Sequence, residues 1–152
     1  MATMSTLHEL LIDELNDIHN AERQLVQAFP KMIEGANSET LRQALAEHLV
    51  ETEEHVNRLD EIFTTLERSP GGKKCLGMEG LLAEGAALIG DDGDPDVLDA
   101  GIIGAAQRIE HYEIAAYGTA IAHAEAMGHS EIATRLKKTL AEEVAADRRL
   151  TE

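Results

Sequence analysis

The chain has 152 residues, 43% of them apolar, enough for a single folded domain with a core that needs no disulfide support. Acidic residues outnumber basic ones 29 to 13, giving a net charge of −16, which argues against duplex nucleic acid and anionic membrane as partners. The single cysteine, Cys75, excludes an internal disulfide framework and any cysteine-rich zinc site, and points to a reducing cytoplasm. The amino-terminal stretch has no basic segment and carries acids inside its apolar run, so it does not read as a signal peptide.

Only two Tyr, two Phe and no Trp accompany many Ala, Leu and Glu, a composition that favours helices over sheet. The first long helix is expected to start after Ser5 or Thr6 as N-cap, with an apolar stripe at Leu7, Leu11, Leu15, Ile18, Leu25 and Phe29. Pro30 is expected to kink or end it near Phe29, with a short continuation to Gly35. The second helix is expected after Asn37 or Ser38, with the stripe Leu41, Leu45, His48, Glu51, His55, Leu59 and Ile62. It stops before Ser69-Pro70-Gly71-Gly72.

A long connection follows, with a short helical pattern from Met78 to Ile89 and a turn at 90–95. In that turn Asp94 is the expected cap and Pro95 the first helical residue. The third long helix runs from Pro95 to about Met127 and stops at Gly128; Gly101 and Gly104 in its first half point to close helix contact, within the bundle or across a dimer. The fourth is expected to be capped by Ser130, with the stripe Ile132, Leu136, Leu140, Glu143, Asp147 and Leu150. Two helical hairpins joined by a long crossover define an all-α, ferritin-like four-helix bundle with a short extra helix in the crossover, one domain spanning 1–152.

Acids on the apolar stripes are the informative feature, because a buried carboxylate must be paired, protonated or metal-bound. Each long helix carries one: Glu22, Glu51, Glu110 with Glu113, and Glu143. Twenty-nine residues separate Glu22 from Glu51 and thirty separate Glu113 from Glu143, so each hairpin brings its pair to a similar height. His55 and Asp147 each follow a stripe glutamate by four residues and share its face. Carboxylates with one or two imidazoles suit a pair of divalent ions, iron or manganese. The competing reading is a buried acid network neutralised by Arg42, Arg58, Arg108 and Arg148, or a set of carboxyls hydrated by internal water. His48, three residues before Glu51, reads as a ligand, an outer donor to one, or a structural hydrogen-bond partner. Tyr117 reads either as a core residue with its hydroxyl on a carboxylate or as a carrier of radical or proton chemistry beside a metal, and His111 as an outer-face or interface residue.

The segments Leu15–Leu25, His48–Phe63, Lys73–Leu81, Ala105–Thr119 and Thr139–Thr151 resemble the YciF/YciE family of ferritin-like bacterial stress proteins. The most specific pieces are AAQRIEHYEIAAYG and KKCLGMEGL. The resemblance implies a rubrerythrin-like bundle, a homodimer rather than a cage, and a link to osmotic and oxidative stress. Set against the general ferritin-like di-iron pattern of Glu and Glu-x-x-His, Glu22, Glu51, Glu110, Glu113 and Glu143 match the glutamates. The usual histidine offsets hold Glu54 and Ala146 instead, with His55 and Asp147 one position later, which shifts the donor set toward carboxylates and manganese. Two functions are open at this level. One is a peroxide- or dioxygen-reactive metalloprotein served by an external electron donor. The other is a non-enzymatic dimeric scaffold with a structural acid network.

Overall fold

The computed structural model describes residues 4–152. Five helices follow in order: α1 (Leu7–Gly35), α2 (Glu39–Thr65), α3 (Leu76–Ala86), α4 (Pro95–Ala126) and α5 (Ser130–Leu150). No strand occurs among the described residues. The closest pairings are α1 with α2 and α4 with α5, each joined by a short turn, while α3 lies in the crossover against α1 and α4.

Local chemistry sets the helix ends. Thr6 caps α1 in a capping box, its hydroxyl accepting from Glu9 N while the Glu9 carboxylate accepts from Thr6 N. Ser38 caps α2, and Asp94 caps α4 ahead of Pro95, as the sequence predicts. α5 differs: His129 occupies the cap position and Ser130 is already the first helical residue, without a side-chain cap bond. The crossover helix starts and ends earlier than the Met78–Ile89 pattern, because Cys75 caps it by accepting Met78 N at Sγ.

Pro30 does not end α1. The helix runs through it to Gly35, and Pro30 lies on the exposed side, flanked by the buried Phe29 and Met32. Apolar anchoring on both sides outweighs the loss of one helical hydrogen bond. At Gly101 the close neighbour is not a helix but the turn after α3, since a Cβ there would lie 3.2 Å from Leu88 Cδ1. Gly104 has open space instead.

The bundle core divides into two apolar clusters. One gathers Leu11, Leu15, Leu59, Phe63, Ile121 and Leu136. The other gathers Leu25, Phe29, Leu45, Met78, Ile102 and Ile109. On every long helix buried polar residues fall in sequence between its contributions to these clusters or beside them: Glu22; His48, Thr52 and His55; Glu110 with Glu113; and Glu143, while the buried Asp99 lies apart near the start of α4. A polar layer is thus enclosed between two hydrophobic plugs, which shield it from water and raise the cost of any unpaired charge within it.

Candidate metal centre

Six side chains from four helices form the polar layer. Ligand atoms of Glu22, His55, Glu113 and Glu143 lie within 4.8 Å of one another, and so do those of His48, Glu110 and Glu143. Glu143 belongs to both groups. Glu22, His55 and Glu143 have no exposed surface, and Glu110, Glu113 and His48 are also buried.

Each histidine turns one nitrogen outward and the other inward. His48 Nδ1 bonds to Glu51 Oε2 at 3.0 Å, and its Nε2 lies 2.8 Å from Glu110 Oε1 and 3.4 Å from Glu143 Oε2. His55 Nε2 bonds to Glu142 Oε2 at 2.9 Å, and its Nδ1 lies 2.9 Å from Glu143 Oε1 and 3.7 Å from Glu22 Oε2. The inward contacts are short but lack hydrogen-bond alignment, so His48 Nε2 and His55 Nδ1 are buried without a partner. The same holds for both oxygens of Glu113, both of Glu143, Glu22 Oε2 and Glu110 Oε2. Outer carboxylates that fix the ring and inner lone pairs that converge on a common point match the arrangement of metal-binding histidines.

The outer carboxylates are themselves held. Arg58 donates to both oxygens of Glu142, and to Thr139 Oγ1. Arg149 donates to both oxygens of Glu51. Tyr117, fully buried, donates its hydroxyl to Glu22 Oε1 at 2.9 Å, the carboxylate contact the sequence predicts.

Electrostatics follow from this packing. Burial works against charge on His55, yet Glu143 and Glu22 raise its pKa to about 10. Burial likewise opposes charge on His48, and Glu110, Glu143 and Glu51 hold it well above the ordinary histidine value. Burial, reinforced by Glu143 and Glu22, pushes Glu113 well above the usual carboxylate range. Burial and Glu143 push Glu110 up as well, against the pull of His48. Glu143 goes the other way: its neighbours Glu110, His48, His55 and Glu113 overcome burial and hold it well below that range. The ion-free cluster thus keeps protons on its histidines and on some of its acids, the protons a divalent cation must displace.

Of the seven residues singled out by the sequence, Glu22, His55, Glu110, Glu113 and Glu143 are brought together. Glu51 and Asp147 lie outside both groups. Glu51 sits at the half-exposed edge of α2, because Thr52 rather than Glu51 faces the core between the two histidines. Asp147 lies 3.3 Å from the exposed His111. His48 takes an inward place, and Glu142, unmarked by any apolar stripe, becomes the partner of His55. The arginines expected to neutralise the inner acids do not reach them: Arg58 holds Glu142, Arg42 bonds Ala36 O, and Arg108 and Arg148 form no ion pair among the described residues.

A ferritin-like helical bundle with an enclosed carboxylate–histidine layer is the class of protein that fold and layer define. The chain belongs to the family described as a domain of unknown function, DUF892, whose model matches residues 6–152. It is 39% identical over 150 residues to protein YciF of Escherichia coli K12, covering 98% of this chain and 90% of that protein. The crystal structure of the E. coli stress protein YciF superposes with a TM-score of 0.94 at 40% identity, over 97% of this chain and 94% of the other. YcfI of Rhodopseudomonas palustris, described as a putative structural protein, gives a TM-score of 0.94 at 45% identity over the same shares. A Xanthomonas campestris protein shares the fold at 18% identity and a TM-score of 0.77, over 96% and 89% of the two chains. No described helix is long and apolar enough to cross a membrane.

Proposed function

We propose that this chain is a stress-response protein that binds a pair of divalent cations, iron or manganese, in the layer between its two apolar clusters. The observation that carries the reading is the set of buried donor atoms without hydrogen-bond partners, divided into two groups that share Glu143. The donors fit the ions: oxygen-rich, with one imidazole in each group. Glu22, His55, Glu113 and Glu143 would hold one ion, and His48, Glu110 and Glu143 the other. Such a pair supplies redox chemistry toward peroxide or dioxygen.

The chain's own part is to position and to exclude water. Glu51 and Glu142 orient the histidines, Tyr117 holds Glu22, and the apolar clusters shut out bulk solvent. No cysteine pair is present to carry electrons, so the reductant is an external donor. The protein acts in the cytoplasm as a homodimer, without nucleic acid as a partner.

A second reading is favoured by the raised pKa values of His48 and His55 beside ionised acids. In it the layer is a self-neutralising network inside a non-enzymatic dimeric scaffold. Elemental analysis after expression with iron and manganese decides between them. The metal reading expects about two ions per chain in the parent, and almost none in Glu113→Gln/Glu143→Gln. A folded, metal-free parent that resists reloading establishes the scaffold instead.

A further inference from the structure

The two groups differ in how they are closed. Glu22, His55, Glu113 and Glu143 surround their centre with four donors, every one buried. The other group offers three protein donors, and two of them, His48 and Glu110, line a cleft that runs between the helices. Its walls are the apolar side chains of Phe29, Ala44, Ala106 and Ala146, and Arg149 borders it. Arg149 is anchored there by Glu51, the same carboxylate that fixes His48. The free volume within is about 10 Å³, close to what a single water-sized molecule needs.

We propose that this cleft is the entrance by which exogenous ligands reach the His48–Glu110–Glu143 position, and that Arg149 limits them to one or two heavy atoms. The inference rests on the cation reading above and adds to it an asymmetry. One position is closed by protein; the other keeps a place for an outside molecule, as metal sites that act on substrates do. The class admitted is that of water, hydroxide, dioxygen and hydrogen peroxide. Bulkier molecules meet the guanidinium and the wall of alanines. Because Glu51 holds both Arg149 and His48, the size of the entrance and the aim of the ring are set by one carboxylate.

The test uses iron-loaded protein and two probes of different length. Nitric oxide, with two heavy atoms, is followed by electron paramagnetic resonance of the ferrous form. Azide, with three, is followed by its charge-transfer absorption on the ferric form. Iron content and helical circular dichroism are recorded on every sample. The parent is expected to give the nitric oxide signal and no azide band. Arg149→Ala is expected to give both, whereas Arg149→Met, which restores length without charge, loses the azide band again. Ala44→Leu, at the partly exposed mouth, is expected to lose the nitric oxide signal while retaining iron; Ala146→Leu serves the same purpose should Ala44→Leu not fold. An equal azide band in parent and Arg149→Ala overturns the proposal, as does an undiminished nitric oxide signal in an iron-retaining, cleft-filled variant. A parent that takes up neither iron nor manganese overturns the cation reading and this inference with it.

Discussion

His55 and Glu142 lie 87 residues apart in sequence, yet His55 Nε2 meets Glu142 Oε2 at 2.9 Å. Arg58, one turn along the same helix, clamps both oxygens of that carboxylate. Burial tends to raise the Glu142 pKa, but Arg58 and His55 hold it below the ordinary value, so it stays ionised to receive the ring proton. The other nitrogen is thereby left to face Glu143 and Glu22. Replacing Glu142 by Ala removes no inner donor, but frees the ring. We expect the affinity for manganese or iron to fall about 10–100-fold. Competition against a chelator of known affinity measures it, and an unchanged affinity removes Glu142 from any role in the centre.

The bond between His55 and Glu142 also shows where the sequence stopped being legible. An acid at helical spacing among apolar residues is visible in one dimension, so Glu22, Glu110, Glu113 and Glu143 could be found. Glu51 and Thr52 are neighbours on one turn, and the apolar stripe is wider than the angle between them. Which one faces inward is settled by α5, where Arg149 draws Glu51 outward. Glu142 lies beside the stripe, and only the packing of α2 on α5 gives it a partner. Helix existence, order and connectivity were legible because they depend on local punctuation. Pro30 left a kink or an end open in the sequence; the continuation to Gly35 is what the helix does, and the packing of Phe29 and Met32 that carries it past Pro30 is tertiary.

The ion-free protein should be less stable in alkali than near neutrality. His55 is raised from an ordinary 6.5 to about 10, so the native state binds a proton that the unfolded chain has released. Its stabilisation is therefore complete below about pH 6.5 and is lost as pH rises through about 10. The raised pKa values of Glu113 and Glu110 carry the same sign, since the native state retains their protons above the ordinary carboxylate value. Urea midpoints of chelator-treated protein should fall steadily from pH 6.5 to pH 10. With the cation bound the trend should weaken or reverse, because binding displaces those protons. A flat profile in the ion-free protein contradicts the proton assignment.

Tyr117→Phe separates the hydroxyl from the ring. The ring packs in the apolar cluster with Leu11, Phe63 and Leu136, and phenylalanine fills the same volume. The hydroxyl is a hydrogen-bond donor to Glu22 Oε1 in a fully buried setting, and Glu22 Oε2 already lacks a partner. Losing the bond strands the carboxylate, at a cost of about 1–3 kcal/mol. Chemical denaturation of ion-free protein should show that loss, and a bound cation should lessen it by satisfying Glu22 directly. A loss that is equal with and without cation would place Glu22 outside the centre.

Asp99 tests the join between the hairpins. It is buried near the start of α4, and its two oxygens divide the work: Oδ1 accepts from Asn37 N and Oδ2 from Ser38 N, each at 2.7 Å. Burial favours its neutral form, but the two amides and nearby Arg42 hold its pKa below the ordinary value. The carboxylate thus supports the turn between α1 and α2 from a third helix. Asp99→Ala should cost about 1–2 kcal/mol, the scale of a lost capping interaction. Asp99→Asn, although nearly the same shape, should recover little of that loss, because its NH2 group sets a donor against one of the two backbone donors. Thermal or urea denaturation of both variants checks the order. Full recovery by Asn would mean that shape alone, and not two acceptors, holds the turn.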